Sequence, residues 1–105
     1  MTPEDQRITI AEACGWTKCD VEAYKSDELW HLKGHGYRLQ RDMPDYLNDL
    51  GAMHEAEKVL CGKSDLITDY IRLLNKGDFG YRRLAFATAA QRAEAFLRAL
   101  GLWEG

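Results

Sequence analysis

The sequence predicts an α+β fold in which a small antiparallel sheet of about three strands is layered with about four helices. In several segments, apolar residues recur at helical spacing between residues suited to cap a helix. In the middle of the chain, apolar and polar residues alternate on both sides of a glycine-containing turn, as is typical of an antiparallel hairpin. The 105 residues are expected to form a single domain, 1–105, with one hydrophobic core.

The first helix is indicated by its start and stop signals. Thr2 is a suitable N-cap, and Pro3 fits the first helical position, where no backbone N–H is needed. Glu4 and Asp5 place negative charge at the positive end of the helix dipole. Gly15 can adopt the left-handed conformation that ends a helix, so we expect this helix to stop there.

The middle of the chain has the pattern of a β-hairpin. Residues 27–33 and 37–41 alternate apolar and polar side chains. The glycines between them can adopt positive φ, which places the predicted turn near residues 34–36. Residues 20–25 are either another strand or an irregular approach to the hairpin.

Two further helices are predicted after the hairpin. The second helix starts near Pro44, with Asp42 as the candidate cap, and ends at Gly62. Its apolar stripe consists of Tyr46, Leu50, Met53, Ala56 and Leu60. The third helix is capped by Ser64 or Asp65 and stops at residues 75–77. Its apolar face consists of Ile67, Tyr70, Ile71 and Leu74.

The C-terminal part is predicted to form a strand followed by a helix. Residues 78–86 contain the strand, which is interrupted near Arg82 and Arg83. Thr88 and Gln91 then have the spacing of a capping box, in which each side chain bonds the backbone N–H of the other residue. Gly101 ends the helix, and a Schellman motif is expected there. The buried stripe consists of Ala89, Ala93, Phe96, Leu97 and Leu100, and Leu102 is expected to pack on Leu97.

Composition limits the class of protein. The net charge is -3, which argues against general nucleic-acid binding because nucleic-acid-binding domains are usually basic. No apolar run approaches the roughly 18 residues of a membrane span, and the first residues are polar and acidic instead of forming a secretory signal. An odd number of cysteines indicates free thiols. These features together predict a cytoplasmic protein without a disulfide framework.

Three segments carry a family resemblance. They are residues 10–16 (IAEACGW), 47–58 (LNDLGAMHEAEK) and 87–98 (ATAAQRAEAFLR). In this order they resemble the small phage and prophage proteins grouped as the phage ABA sandwich domain. The resemblance implies an α-β-α sandwich and a phage-encoded protein that acts in the host cell cytoplasm. It implies no catalytic or binding residue. Gly51 stands where the family pattern has a larger polar residue.

Catalytic and metal-binding patterns do not stand out. His31 and His35 are four residues apart, but they fall on a predicted strand and turn, so they do not form the one-sided spacing of a zinc site. No cysteine lies in a known nucleophile signature. His54 and Glu57 are three apart on one helix and can touch. We therefore predict a non-enzymatic protein without a metal or cofactor.

The remaining candidate site is a set of aromatic and cationic side chains. Trp, Tyr and Arg dominate the binding energy of protein interfaces, and aromatic and cationic groups together also suit a planar anion. The set consists of Trp30, Tyr37, Arg38, Tyr81, Arg82, Arg83 and Trp103. The favoured hypothesis is an accessory protein that binds a protein partner or associates with itself. The alternative is a small-ligand protein that sequesters a nucleotide signal, which the excess of basic residues in 72–98 favours.

Overall fold

The computed structural model describes residues 1–24, 27–75 and 87–104, with the side chains of 22–24 and 75 left aside. These residues contain a three-stranded antiparallel sheet and four helices, which confirms the predicted α+β class. The elements are α1 (Pro3–Ala13), β1 (Thr17–Tyr24), β2 (Asp27–Leu32), β3 (Gly36–Leu39), α2 (Leu50–Glu57), α3 (Ser64–Asn75) and α4 (Ala89–Ala99). Short 3-10 turns follow β3 at Gln40–Asp42 and α2 at Lys58–Leu60.

Helix α1 has the predicted boundaries. The Thr2 hydroxyl accepts a hydrogen bond from the Asp5 backbone N–H (3.1 Å), and the Asp5 carboxylate accepts one from the Thr2 N–H (3.4 Å). This reciprocal pair is a capping box, which satisfies two backbone donors that the first turn leaves unpaired. Gly15 ends the helix with φ of +103°, and Trp16 follows as a buried side chain.

The sheet has the strand order β1-β2-β3, and both strand pairs are antiparallel. The predicted hairpin is formed by β2 and β3, and Gly34 and Gly36 adopt positive φ in its turn. The segment that the sequence left open is a strand, since β1 pairs with β2 from Thr17 onward. Its register shifts twice between Lys18 and Tyr24, which accounts for its weak alternation in the sequence.

The predicted start of the second helix is wrong. The helix begins at Leu50, and Asp49 is its N-cap, accepting hydrogen bonds from the N–H groups of Gly51 (2.9 Å) and Ala52 (3.3 Å). Met43, which precedes proline, has an extended ψ of 154°, as proline requires of its predecessor. A turn closed by hydrogen bonds to the Asp45 carbonyl therefore replaces the expected first helical turns. Leu50, predicted to be buried, is exposed at the true helix start.

Helix α4 begins where the sequence predicts, whereas α3 already includes Ser64 and Asp65, its two candidate caps. Helix α3 starts at Ser64 and buries Tyr70 and Leu74, whereas Ile71 is exposed, contrary to the prediction. Residues 76–86, and with them the predicted helix stop and the interrupted strand, lie outside the described residues. Helix α4 has the predicted capping box between Thr88 and Gln91.

The end of α4 is the predicted Schellman motif. The Leu102 N–H donates to the Leu97 carbonyl (2.8 Å), and the Gly101 N–H donates to the Arg98 carbonyl (3.1 Å). Gly101 has φ of +73°. Four residues of the predicted stripe of α4 are buried, with Phe96 and Leu97 fully enclosed, whereas Leu100 is only partly buried. This helix is therefore central to the core.

The core is shared by all four helices and one side of the sheet. Its large members from the helices include Ile10, Met53, Tyr70 and Phe96. The three strands contribute one buried side chain to the described core, Trp30. The helices therefore cover the side of the sheet on which Trp30 lies, and this positions the surfaces described next.

Candidate functional site

Trp30 is a core residue instead of a member of a binding surface. Its side chain is 3% exposed, and the indole Nε1 donates a hydrogen bond to Oε1 of Gln40 (3.2 Å). This contact satisfies the polar atom of a buried tryptophan. Trp30 therefore fixes the sheet to the helices and is not available to a partner.

Tyr37 and Arg38 are neighbours on β3 and lie on opposite faces of the sheet. The Tyr37 side chain is 66% exposed, and its ring lies 4.6 Å from that of His31 at an angle of 44°. Arg38 pairs across the sheet with Trp30, and its Cζ lies 5.9 Å from the centroid of the Trp16 ring. These two predicted residues thus belong to two different surfaces.

Trp103 is distant in the chain from the sheet and has a local partner. The Cζ of Arg98 lies 4.9 Å from its ring centroid, and Arg98 also forms an ion pair with Glu94 (3.2 Å). Tyr81, Arg82 and Arg83 lie outside the described residues. Within the described part of the chain, the aromatic and cationic set predicted from sequence is distributed over separate places.

The side of the sheet away from Trp30 forms a surface of uncharged side chains. Cross-strand pairing brings together Thr17, His31 and Tyr37 in one row and Leu29 and Leu39 in the next. Val21, next to Glu22 in β1, falls on the same side by alternation and is 60% exposed. We call this surface the outer face, and it consists of Thr17, Val21, Leu29, His31, Tyr37 and Leu39. Its two leucines are not part of the described core.

Charged residues of the strands are found mainly on the side that faces the helices. Lys18 and Glu28 lie on that side and form an ion pair (3.5 Å), and Arg38 lies beside them. Asp27, at the start of β2, lies on the same side as Leu29 by alternation, but its side chain is mostly buried and forms an ion pair with Arg41 (3.4 Å). An antiparallel sheet with one covered side usually turns its polar residues outward. Here the uncharged residues are turned outward instead.

A groove of about 530 Å³ lies between the sheet and α2. Its apolar lining consists of Trp16, Leu32, Pro44, Tyr46, Ala52 and Val59, and Arg38 borders it. Burial raises the pKa of the Cys14 thiol at the base of the groove, and its hydrogen bond with Tyr46 offsets only part of that effect. A buried thiol with a raised pKa is a poor nucleophile, so this groove is suited to binding and not to covalent chemistry.

A wider cleft of about 830 Å³ lies beside α1, and its main cation is already engaged. The Arg7 guanidinium donates to the Met43 carbonyl (3.2 Å), the Gln40 carbonyl (2.8 Å) and Glu4 (2.6 Å). These contacts connect α1 to the 3-10 turn after β3. The Arg7 side chain in this cleft therefore has a structural role in holding the fold together.

Glu57 is the centre of a polar cluster that joins three helices. Its carboxylate accepts hydrogen bonds from the Tyr70 hydroxyl, from Nη1 of Arg92 (3.0 Å) and, as predicted from spacing, from Nδ1 of His54 (2.6 Å). Burial alone would raise the pKa of Glu57, but its three donors outweigh burial and hold that pKa below its ordinary value. A carboxylate held ionised by three donors is a poor general base, so the cluster connects α2, α3 and α4 instead of carrying out catalysis.

Within the described residues, no group of three His, Cys, Asp or Glu side chains is placed to hold a metal ion. The helices of that same part of the chain include none that is long and apolar enough to cross a bilayer. Comparison of the chain with protein-family models, curated proteins and solved structures gives no match. The surfaces themselves are therefore the basis for a functional assignment.

Proposed function

We propose that this protein acts without catalysis, by binding a protein partner through the outer face of its sheet. The observation that carries the proposal is the exposure of Tyr37 and Val21 within the uncharged outer face. The centres of protein interfaces are depleted in charged residues and enriched in aromatic ones. Tyr37 has the character of an interface anchor, because it offers a large ring at a low cost in conformational entropy.

The occupant we propose for the outer face is a second copy of this chain. Two copies related by a two-fold axis bring the same patch together, so each Tyr37 would meet the partner's patch. An uncharged face allows this without repulsion between like charges. Strands β1 and β3 are both edges of the sheet that the described residues form.

The resemblance to phage proteins supports a wider form of the proposal. In that form the protein is a phage or prophage accessory protein that works in the host cytoplasm, either as the self-associated form or by using the outer face to bind a host protein. The resemblance depends on residues 10–16, 47–58 and 87–98. None of these segments contains the outer face, so the surface and the resemblance support the proposal independently.

Size-exclusion chromatography with light scattering tests the proposal. The wild type should reach twice the 12.0 kDa mass of one chain at high micromolar concentration. Tyr37→Glu places a charge in the outer face and should give the single-chain mass. Leu50→Glu is the matched control, because Leu50 is also an exposed apolar residue but lies on α2, so this variant should associate as the wild type does.

The outcomes separate the possible occupants. If the wild type is a single chain at every concentration, the second copy is excluded. The outer face is then tested by capture from a bacterial lysate, with wild-type and Tyr37→Glu proteins as paired baits. A protein captured by the wild type and by Leu50→Glu but not by Tyr37→Glu identifies a different partner on the same face. Equal capture by all three baits, or association that Tyr37→Glu does not weaken, overturns the proposal.

A further inference from the structure

The groove between the sheet and α2 has a feature that partner binding at the outer face does not explain. Arg38 borders the groove, and no carboxylate of the described residues lies within ion-pair distance of it. Its contact with the Trp16 ring holds the guanidinium at the groove. Among the described residues, the groove therefore presents one positive charge with no opposite charge at ion-pair distance.

The other charges at the groove cancel each other. Lys58 and Glu55 form an ion pair (2.9 Å) on the α2 side of the opening. Tyr46 also lines the groove, and burial raises the pKa of its hydroxyl, which therefore stays uncharged. The net effect is a single cation beside a buried aromatic lining.

The size and lining of the groove define the body of a ligand. Its volume of about 530 Å³ falls within the roughly 300–1,000 Å³ typical of small-molecule sites. Apolar side chains on both walls, Leu32 from the sheet and Val59 after α2, would contact an apolar and flat molecule. Gly51 and Ala52, in the first turn of α2, also border the groove.

We propose that this groove binds a small molecule with a flat apolar body and a single anionic group that pairs with Arg38. The planar guanidinium suits a carboxylate or sulfonate, with which it forms two parallel hydrogen bonds. A nucleoside triphosphate carries about four negative charges, and one arginine cannot neutralise them. The proposal therefore narrows the small-ligand hypothesis to monoanions and assigns them a place.

The test uses two probes that differ in charge. 8-Anilinonaphthalene-1-sulfonate is a monoanion with a flat naphthalene body, and N-phenyl-1-naphthylamine is its uncharged counterpart. Fluorescence titration should show that the wild type binds the sulfonate at least about tenfold more tightly than the amine, as expected for one charge-assisted pair. Arg38→Gln should remove that preference while leaving binding of the amine in place. Ala52→Leu fills the groove and should weaken both probes.

Matched variants separate the groove from other surfaces. Arg98→Gln is the control for charge, because Arg98 also lies over a tryptophan ring but is paired with Glu94. It should bind both probes as the wild type does. Tyr37→Glu alters the outer face and should likewise leave the probes unaffected, so this result is independent of partner binding. In ¹⁵N spectra the sulfonate should shift the amide signals of Gly51 and Ala52.

Three results would overturn the proposal. One is equal affinity of the wild type for the charged and uncharged probes. Another is sulfonate binding that Arg38→Gln and Ala52→Leu leave unchanged. The third is sulfonate binding that Tyr37→Glu abolishes, which would place the probe on the outer face. Circular dichroism of each variant confirms that a loss of binding reflects the groove and not loss of the fold.

Discussion

Replacing Glu57 with alanine removes the acceptor shared by α2, α3 and α4, and the structure sets the size of the effect. Glu57 is 19% exposed and Arg92 is 12% exposed, so their contact is largely shielded from water. A hydrogen bond to a charged group contributes about 1.5–3 kcal/mol. Because the site is not fully buried, we use the lower value, about 1.5 kcal/mol, for each of the hydrogen bonds from Arg92 and Tyr70. The hydrogen bond from His54 is neglected because that side chain is half exposed. The expected loss is about 3 kcal/mol.

The loss is measured by urea denaturation followed by circular dichroism at about pH 7. For a domain near this size, 1 kcal/mol corresponds to roughly 4–8 °C in Tm, so Tm should fall by about 12–24 °C. Glu55→Ala is the control on the same helix. Glu55 is 71% exposed and pairs only with the exposed Lys58, so this change should cost less than about 0.5 kcal/mol.

The effect should also depend on pH in a defined direction. Because the pKa of Glu57 is lower in the folded than in the unfolded chain, its contribution is complete above the unfolded-state pKa. That contribution is lost as the pH falls through the folded-state pKa. The difference between wild type and Glu57→Ala should therefore stay constant from about pH 7 to about pH 5 and shrink between about pH 5 and about pH 3. A cost no larger than that of Glu55→Ala, or a difference constant over this range, would refute the reasoning.

Three smaller effects test local features of the fold. Asp49→Ala should lower the unfolding free energy by about 1 kcal/mol, because α2 loses its cap. Asp42→Ala, at the position that the sequence predicts as the cap, should lower it by less than about 0.5 kcal/mol. Equal losses for the two variants in urea denaturation would contradict the assigned helix start. Thr88→Ala should cost about 1 kcal/mol and Thr88→Ser much less, because serine retains the capping hydroxyl. A thiol-reactive dye should label the exposed Cys61 quickly and the Cys14 thiol slowly, as mass spectrometry of time points would show; equal rates would contradict the burial of Cys14.

The helix ends that could be predicted from sequence are those determined within a few residues. Thr2 and Thr88 each bond a backbone N–H three positions away, so the whole interaction is visible in a short segment. Gly101 likewise acts on the helix that it directly follows. The start of α2 was harder, because Pro44 and Asp49 are both valid start signals. The hydrogen bonds that select Asp49 are formed only once the turn before it has closed.

The candidate sites depend on contacts that local patterns do not contain. Because side chains alternate along a strand, Tyr37 and Arg38 must point to opposite faces of the sheet. This rule alone is enough to separate these two residues of the predicted aromatic and cationic set. Which side the helices cover is decided by tertiary packing. The Glu57 cluster joins residues 13 and 35 positions apart, so its one sequence signal was the spacing of His54.

The four residues of β3 separate two surfaces of the protein, the outer face and the groove. Tyr37 faces one side and Arg38 the other, and the turn of the hairpin fixes which is which. Because side chains alternate with a period of two, inserting or deleting one residue in that turn would exchange them, placing a tyrosine over the groove and a charge in the outer face. The length of the turn is therefore under a stricter constraint than its composition. Outside the positive-φ positions Gly34 and Gly36, replacements in the turn should be tolerated long before insertions are.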